Sequence, residues 1–120
     1  MNTLFADVLQ ELHEDRKTGA LFVTVVQSTQ YLVRFWFENG DIRRLSYGPL
    51  RGRECMELLD CYDFGNAIFY DGMKTPFGAD RQIPRTPGFI SDLRKTGKTI
   101  GALQVALVAA RRNSLVPVAA

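Results

Sequence analysis

The chain has 120 residues, 46% hydrophobic and 23% charged, and its 15 basic and 13 acidic side chains leave a net charge of +2. That length fits one domain, which buries about two-thirds of the surface its unfolded chain exposes and needs no metal or disulfide to fold. So mild a charge speaks against a protein held on nucleic acid by electrostatics, and a single histidine speaks against a Cys/His zinc site.

The two cysteines, Cys55 and Cys61, stand six apart and form no CxxC pair. On a helix they point to different sides, so the expectation is two reduced thiols. The opening MNTLFADVLQELHEDRK has no apolar core of a signal peptide. Ile100 to Ala110 is the most apolar stretch and is too short to span a bilayer. The expected location is therefore cytoplasmic, with no membrane span.

Leu4 to Glu14 carries Leu4, Phe5, Val8, Leu9 and Leu12 on one face at a 3.6 period, which predicts an amphipathic helix capped by Asn2 or Thr3. Lys17-Thr18-Gly19 ends it, with Gly19 suited to a left-handed turn. His13, near the helix end, has no nucleophile or metal partner and is expected to be solvated or capping. Ala20 to Val26 is β-branched and apolar on both faces apart from Thr24, which predicts a central strand.

Tyr31 to Gly48 is the most informative stretch. Tyr31 to Glu38 predicts a strand, and Asn39-Gly40 predicts a type I′ hairpin, because both central residues of that turn need positive φ. An unbroken ladder from the turn pairs Glu38 with Asp41, Phe37 with Ile42, Trp36 with Arg43, Phe35 with Arg44 and Arg34 with Leu45. Val33, Phe35, Phe37 and Ile42 then share the core face, with Arg44 awkwardly among them. Leu32, Arg34, Trp36, Arg43, Leu45 and Tyr47 share the other face, where Arg34 or Arg43 is placed to stack on Trp36. That face is either a contact surface or one roofed by arginine stems and a helix.

Glu54 to Tyr62 carries Cys55, Leu58, Leu59 and Tyr62 on one stripe and predicts a second helix. Arg51 and Arg53 flank its start, where the helix dipole favours an anion. Asn66 to Tyr70 predicts a short closing strand. Met73 to Gly88 contains three prolines and two glycines, and predicts an extended connector. Phe89 to Arg94 suits one or two helical turns. Thr99 then caps a third predicted helix reaching about Arg112, apolar nearly all round, with Ile100, Leu103 and Leu107 on one stripe. Such a helix is buried on two sides, by the domain and by a second copy or a partner. Asn113 to Ala120 is expected to be a loose tail. The fold class is α+β: a small antiparallel sheet built on the hairpin, with an N-terminal, a mid-chain and an apolar C-terminal helix. Residues 1–72 make the α+β body, and 73–120 a connector and helix packed on it or on a partner.

In that order of elements the chain resembles the PATAN-type domain family of bacteria, best known at the N-terminus of PatA-like response regulators. The resemblance covers about Leu4 to Tyr70. It is carried by LFADVLQELHEDRKTGAL, by the hairpin FWFENGDIRRL, by Gly52-Arg53-Glu54-Cys55 with Leu58-Leu59, and by Gly65-Asn66-Ala67-Ile68-Phe69. Cys61 and Ala67 depart from it, standing where the family often has a tryptophan and an aromatic residue. The resemblance implies a regulatory protein-interaction module, in two-component signalling or in control of type IV pilus motility, with no catalytic residues to carry over.

Three functions compete. The first is a non-enzymatic interaction module that forms a homodimer or a complex with a signalling partner. Its candidate contact residues are Arg34, Trp36, Ile100, Leu103 and Leu107. The second is a sensor of a phosphate-bearing ligand such as a cyclic dinucleotide, held by Arg43, Arg44, Arg51 and Arg53, whose planar forks match phosphate oxygens. The third, an enzyme, lacks converging carboxylates, a nucleophile elbow, a P-loop or a Rossmann glycine pattern, so no catalytic residue, metal or cofactor is expected. DNA binding lacks a basic recognition helix.

Overall fold

Residues 3–74 and 83–107 are described in the computed structural model, apart from the side chains of Leu58 and Leu107. The first helix forms where its apolar stripe requires it: α1 spans Phe5–Glu14 and buries Phe5, Ala6, Val8, Leu9 and Leu12. Its start is not capped by a side chain. The Phe5 N–H instead donates to the Lys98 carbonyl at 2.9 Å, and Thr3–Leu4 (β1) pairs antiparallel with Thr99–Ile100 (β7). Asn2, the other expected cap, lies outside the described residues. The chain reverses at Arg16, whose φ is 53°, and not at Gly19. Gly19 opens β2 (Gly19–Val25) for a different reason. A Cβ there would sit 2.4 Å from the Tyr70 carbonyl oxygen and 2.7 Å from the Phe69 ring, so only glycine lets the neighbouring strand approach.

β3 (Leu32–Glu38) and β4 (Asp41–Tyr47) form the expected hairpin, with φ of 51° at Asn39 and 86° at Gly40. The turn is docked on the α1–β2 corner. Gly40 N–H donates to the Lys17 carbonyl at 2.8 Å and Asn39 N–H to Thr18 Oγ1 at 3.0 Å. The His13 ring Nδ1 lies 2.8 Å from the Gly40 carbonyl and 3.8 Å from an Asp41 oxygen, so this half-buried side chain ties helix to hairpin.

The hairpin register holds for two pairs, Glu38 with Asp41 and Phe37 with Ile42, and then shifts at a β-bulge. Beyond it Trp36 faces Arg44, Phe35 faces Leu45, Arg34 faces Ser46 and Val33 faces Tyr47, each one residue from the unbroken ladder. The apolar spacing of β4 explains the slip. Ile42 and Leu45 are three apart, so both can join Phe35 and Phe37 in the core only if the strand carries an extra residue between them. Leu45 and Tyr47 are accordingly buried in the core, and Arg44 leaves the Phe35 row while remaining buried.

The chain continues through β5 (Leu50–Arg51), α2 (Arg53–Cys61), β6 (Phe64–Asp71), α3 (Thr86–Thr96), β7 and β8 (Leu103–Leu107). The larger sheet has the order β5-β4-β3-β2-β6-β8. Its pairs are antiparallel except β6 with β8, which is parallel. The fold is thus α+β on a mixed, mainly antiparallel sheet.

Two expectations for the C-terminal part need correction. The short turn expected at Phe89 is the middle of an eleven-residue helix that begins at Thr86, inside the expected connector. The helix expected from Thr99 is replaced, through Leu107, by the strands β7 and β8. Residues 75–82, Val108 to Arg112 and the tail lie outside the described residues. A segment apolar all round has no helix-specific period. Leu103, Val105 and Leu107 alternate with Gln104 and Ala106 as well as they fill a helical stripe, and pairing with β6 decides between the two.

The helices α1, α2 and α3 bury their apolar residues in one cluster with Leu21, Val23, Val33, Phe35, Phe37, Leu45, Phe64 and Phe69 from the sheet. Edge-on phenylalanines link its layers: Phe5 meets Phe35 at 5.5 Å and Phe64 at 5.0 Å, and Phe35 meets Phe89 at 6.0 Å. Phe89, Ile90, Leu93 and Ile100 belong to this cluster, so the described part of residues 73–120 packs on the body. Cys55 is buried and Cys61 exposed, and neither is in a disulfide. Among the described residues no helix is long and apolar enough to cross a membrane.

Candidate functional site

Side chains alternate between the two faces of a strand, so packing the helices on one face sets aside the other. The face away from the core collects Ala20, Phe22 and Thr24 from β2, Leu32, Arg34 and Trp36 from β3, Arg44 and Ser46 from β4, Arg51 from β5, and Ile68 and Tyr70 from β6. The register places Ala20 between Trp36 and Tyr70, and Phe22 between Arg34 and Ile68. Ala20 is fully buried because its large neighbours close over it, while Phe22, Trp36, Ile68 and Tyr70 stay half-buried. The large side chains of this face are not part of the core cluster.

Phe22 is the hub of an aromatic group. Its ring centroid lies 5.8 Å from that of Trp36 and 5.2 Å from that of Tyr70, both edge-to-face. The Arg34 guanidinium carbon lies 5.2 Å from the Phe22 centroid. A cation over an aromatic face is worth about 0.5–1 kcal/mol when exposed and about 2 when a partner removes the water. Tryptophan, tyrosine and arginine are also the side chains that dominate binding energy at protein interfaces. The group presents flat apolar area bordered by guanidinium groups, since Arg44 lies opposite Trp36 and Arg51 opposite Ser46 on the same face.

Arg34 and Trp36 are thus brought together as expected, although Arg34 stacks on Phe22 and not on Trp36. The four arginines of the sensor reading do not share one cleft: Arg44 and Arg51 lie on the Trp36 face of β4 and β5, while Arg43 and Arg53 line two separate clefts. Arg43 lies with its Nε 3.6 Å from a Glu38 oxygen and lines a cleft of about 530 Å³ with His13, Asp41, Arg85 and Thr86. Arg53, the first residue of α2, lines a different groove of about 730 Å³ between α2 and α3, with Met56, Asp60, Phe89 and Asp92. Arg44 is buried opposite Trp36, and Arg51 is exposed on β5 opposite Ser46. Ile100 is fully buried in the core, Leu103 is 39% exposed on β8, and the Leu107 side chain lies outside the description.

Phe22, Ile68 and Tyr70 are members of the face that sequence reasoning missed. Phe22 and Thr24 alternate with Leu21, Val23 and Val25, which hints at a second face of β2. That β6 lies next to β2, bringing Tyr70 to Phe22 across some fifty intervening residues, is not written in any local pattern. Among the described residues, no three His, Cys, Asp or Glu side chains gather as metal ligands would. No family model, curated protein or solved structure matches the chain.

Proposed function

We propose that the chain is a non-enzymatic, cytoplasmic protein-interaction module of bacterial signalling, of the PATAN-like kind its sequence resembles, acting in two-component or pilus-motility control. One observation carries this reading: the Phe22–Trp36–Tyr70 group with Arg34 above it, a patch of interface-type side chains on the sheet face turned away from the core. The partner it suits places a carboxylate against Arg34 and an apolar group against Trp36.

The test compares the intact protein with the double variant Arg34→Glu, Trp36→Ala as bait in its own cells. Both positions are outside the core, so the variant should keep the wild-type far-ultraviolet spectrum and melting behaviour. The expected result is selective loss of the partners captured by the wild type, and restored binding of a given partner when its matching carboxylate is changed to lysine. Equal capture by both baits would remove the face from consideration. The arginine sensor remains the alternative. Heat on titration with cyclic dinucleotides, abolished by Arg43→Ala or Arg53→Ala, would move the function to it, although these two side chains line separate clefts.

A further inference from the structure

The two edges of the larger sheet are built differently. At one edge β5 has two residues, follows Pro49 and contains the charged Arg51. The β4 strand beside it is further closed where the Ile42 N–H donates to Thr86 Oγ1 at 2.9 Å. Short length, proline and charge are the usual protections of an edge. The other edge is β8, LQVAL, with no proline and no charge. No charged residue occurs from Thr99 to Ala110. Among the described residues no strand lies beyond β8.

The ladder shows which backbone groups point outward. Ala67 N–H donates to the Ala102 carbonyl at 2.8 Å, and Ala67 is opposite Leu103. In a parallel pair alternate residues turn their N–H and C=O to one neighbour and the rest to the other. Gln104 and Ala106 therefore bond β6, while Leu103, Val105 and Leu107 turn their backbone groups away from it. The side chains add apolar surface, since Val105 is 61% and Leu103 39% exposed. Both border a hollow of about 270 Å³ with Val8, Leu12 and Phe69, at the margin where α1 stops covering the sheet.

We propose that β8 is a self-association edge: two copies pair their β8 strands antiparallel about a two-fold axis at Val105, joining the two sheets into one. A strand that fits this edge must be uncharged and have free backbone groups on one side, and β8 of a second copy is such a strand. The two-fold operation sets Val105 against Val105, Leu103 against Leu107 and Gln104 against Ala106, so no charge meets its like. Val105 turns its N–H and C=O toward the axis, so the central pair exchanges two hydrogen bonds. The contact is isologous and closed, which is the commonest form of homodimer. Because the axis is perpendicular to the sheet, both aromatic faces come to lie on the same side of the joined sheet. The pairing itself does not depend on the function proposed for that face.

The full chain should rise in mass with concentration, from 13.5 kDa toward twice that value, in sedimentation equilibrium. Val105→Lys sets two like charges on the axis and should remain at monomer mass at concentrations where the wild type is half dimeric. Its fold should be unchanged, because Val105 is largely exposed. Should that variant misfold, Val105→Cys in a Cys61→Ser background decides the matter, and oxidation should cross-link it into a disulfide dimer. Arg34→Glu with Trp36→Ala should still dimerise, which separates failure of this proposal from failure of the function reading. A wild-type chain that stays monomeric throughout, including through its own C-terminal segment occupying the edge, overturns the proposal. So does a dimer that forms equally well with Val105→Lys, or a Val105→Cys variant that does not cross-link.

Discussion

The smallest residues set the tightest geometry in this molecule. Gly19 is needed because the β6 backbone and the Phe69 ring occupy the space of a Cβ. Gly40 is needed for its φ of 86° and because the His13 carbonyl would lie 2.5 Å from a Cβ. Gly19→Ala should destabilise the fold by about 1–3 kcal/mol, the usual cost of overpacking where backbone must move. A urea unfolding midpoint unchanged from wild type would show that β2 and β6 are further apart than described. Charge matters less. Arg94 meets Asp7 at 2.6 Å across α1 and α3, but the two side chains are 43% and 53% exposed, and such pairs contribute at most about 1 kcal/mol.

Among the elements, β4 is the instructive one. Its bulge reconciles a tight two-residue turn with an apolar pattern that does not alternate cleanly. Deleting the extra residue, Arg43, should therefore be tolerated within about 1 kcal/mol, since Phe37–Ile42 and Phe35–Leu45 both stay paired on the core face. Deleting Ser46 should instead cost several times more, because a one-residue slip drives Tyr47 to the wrong face. Equal loss of stability in the two deletions, followed by chemical denaturation, would rule out the bulge as the element that sets the register. β8 makes the complementary point. Its residues have no period of their own, and the strand exists because β6 offers it a ladder.

At the scale of the whole molecule, one core is assembled from both ends of the chain. β1 pairs with β7, Phe5 N–H bonds Lys98, and Ile100 is fully buried among residues from the first half. Ile100→Ala should therefore cost about 2–5 kcal/mol and lower the single unfolding transition of the entire domain. Were the C-terminal part an independent appendage, hydrogen exchange in α1 and β2 would be untouched by that change. The face of the sheet under the helices therefore carries the contacts that join the two halves of the chain.

The sequence alone determined the α+β class, α1, the hairpin with its type I′ turn, α2 and the strand around Phe69, because each is written in contacts close along the chain. The 3.6-residue stripe of α1 and the positive φ required at Asn39-Gly40 are local facts. It also placed Arg34 and Trp36 on one face, since that follows from alternation. Only the tertiary structure decided the register beyond Phe37, the strand nature of Leu103–Leu107 and the joining of Tyr70 to Phe22. Each of these depends on which distant segment comes alongside, and burial across the sheet, not local propensity, makes that choice.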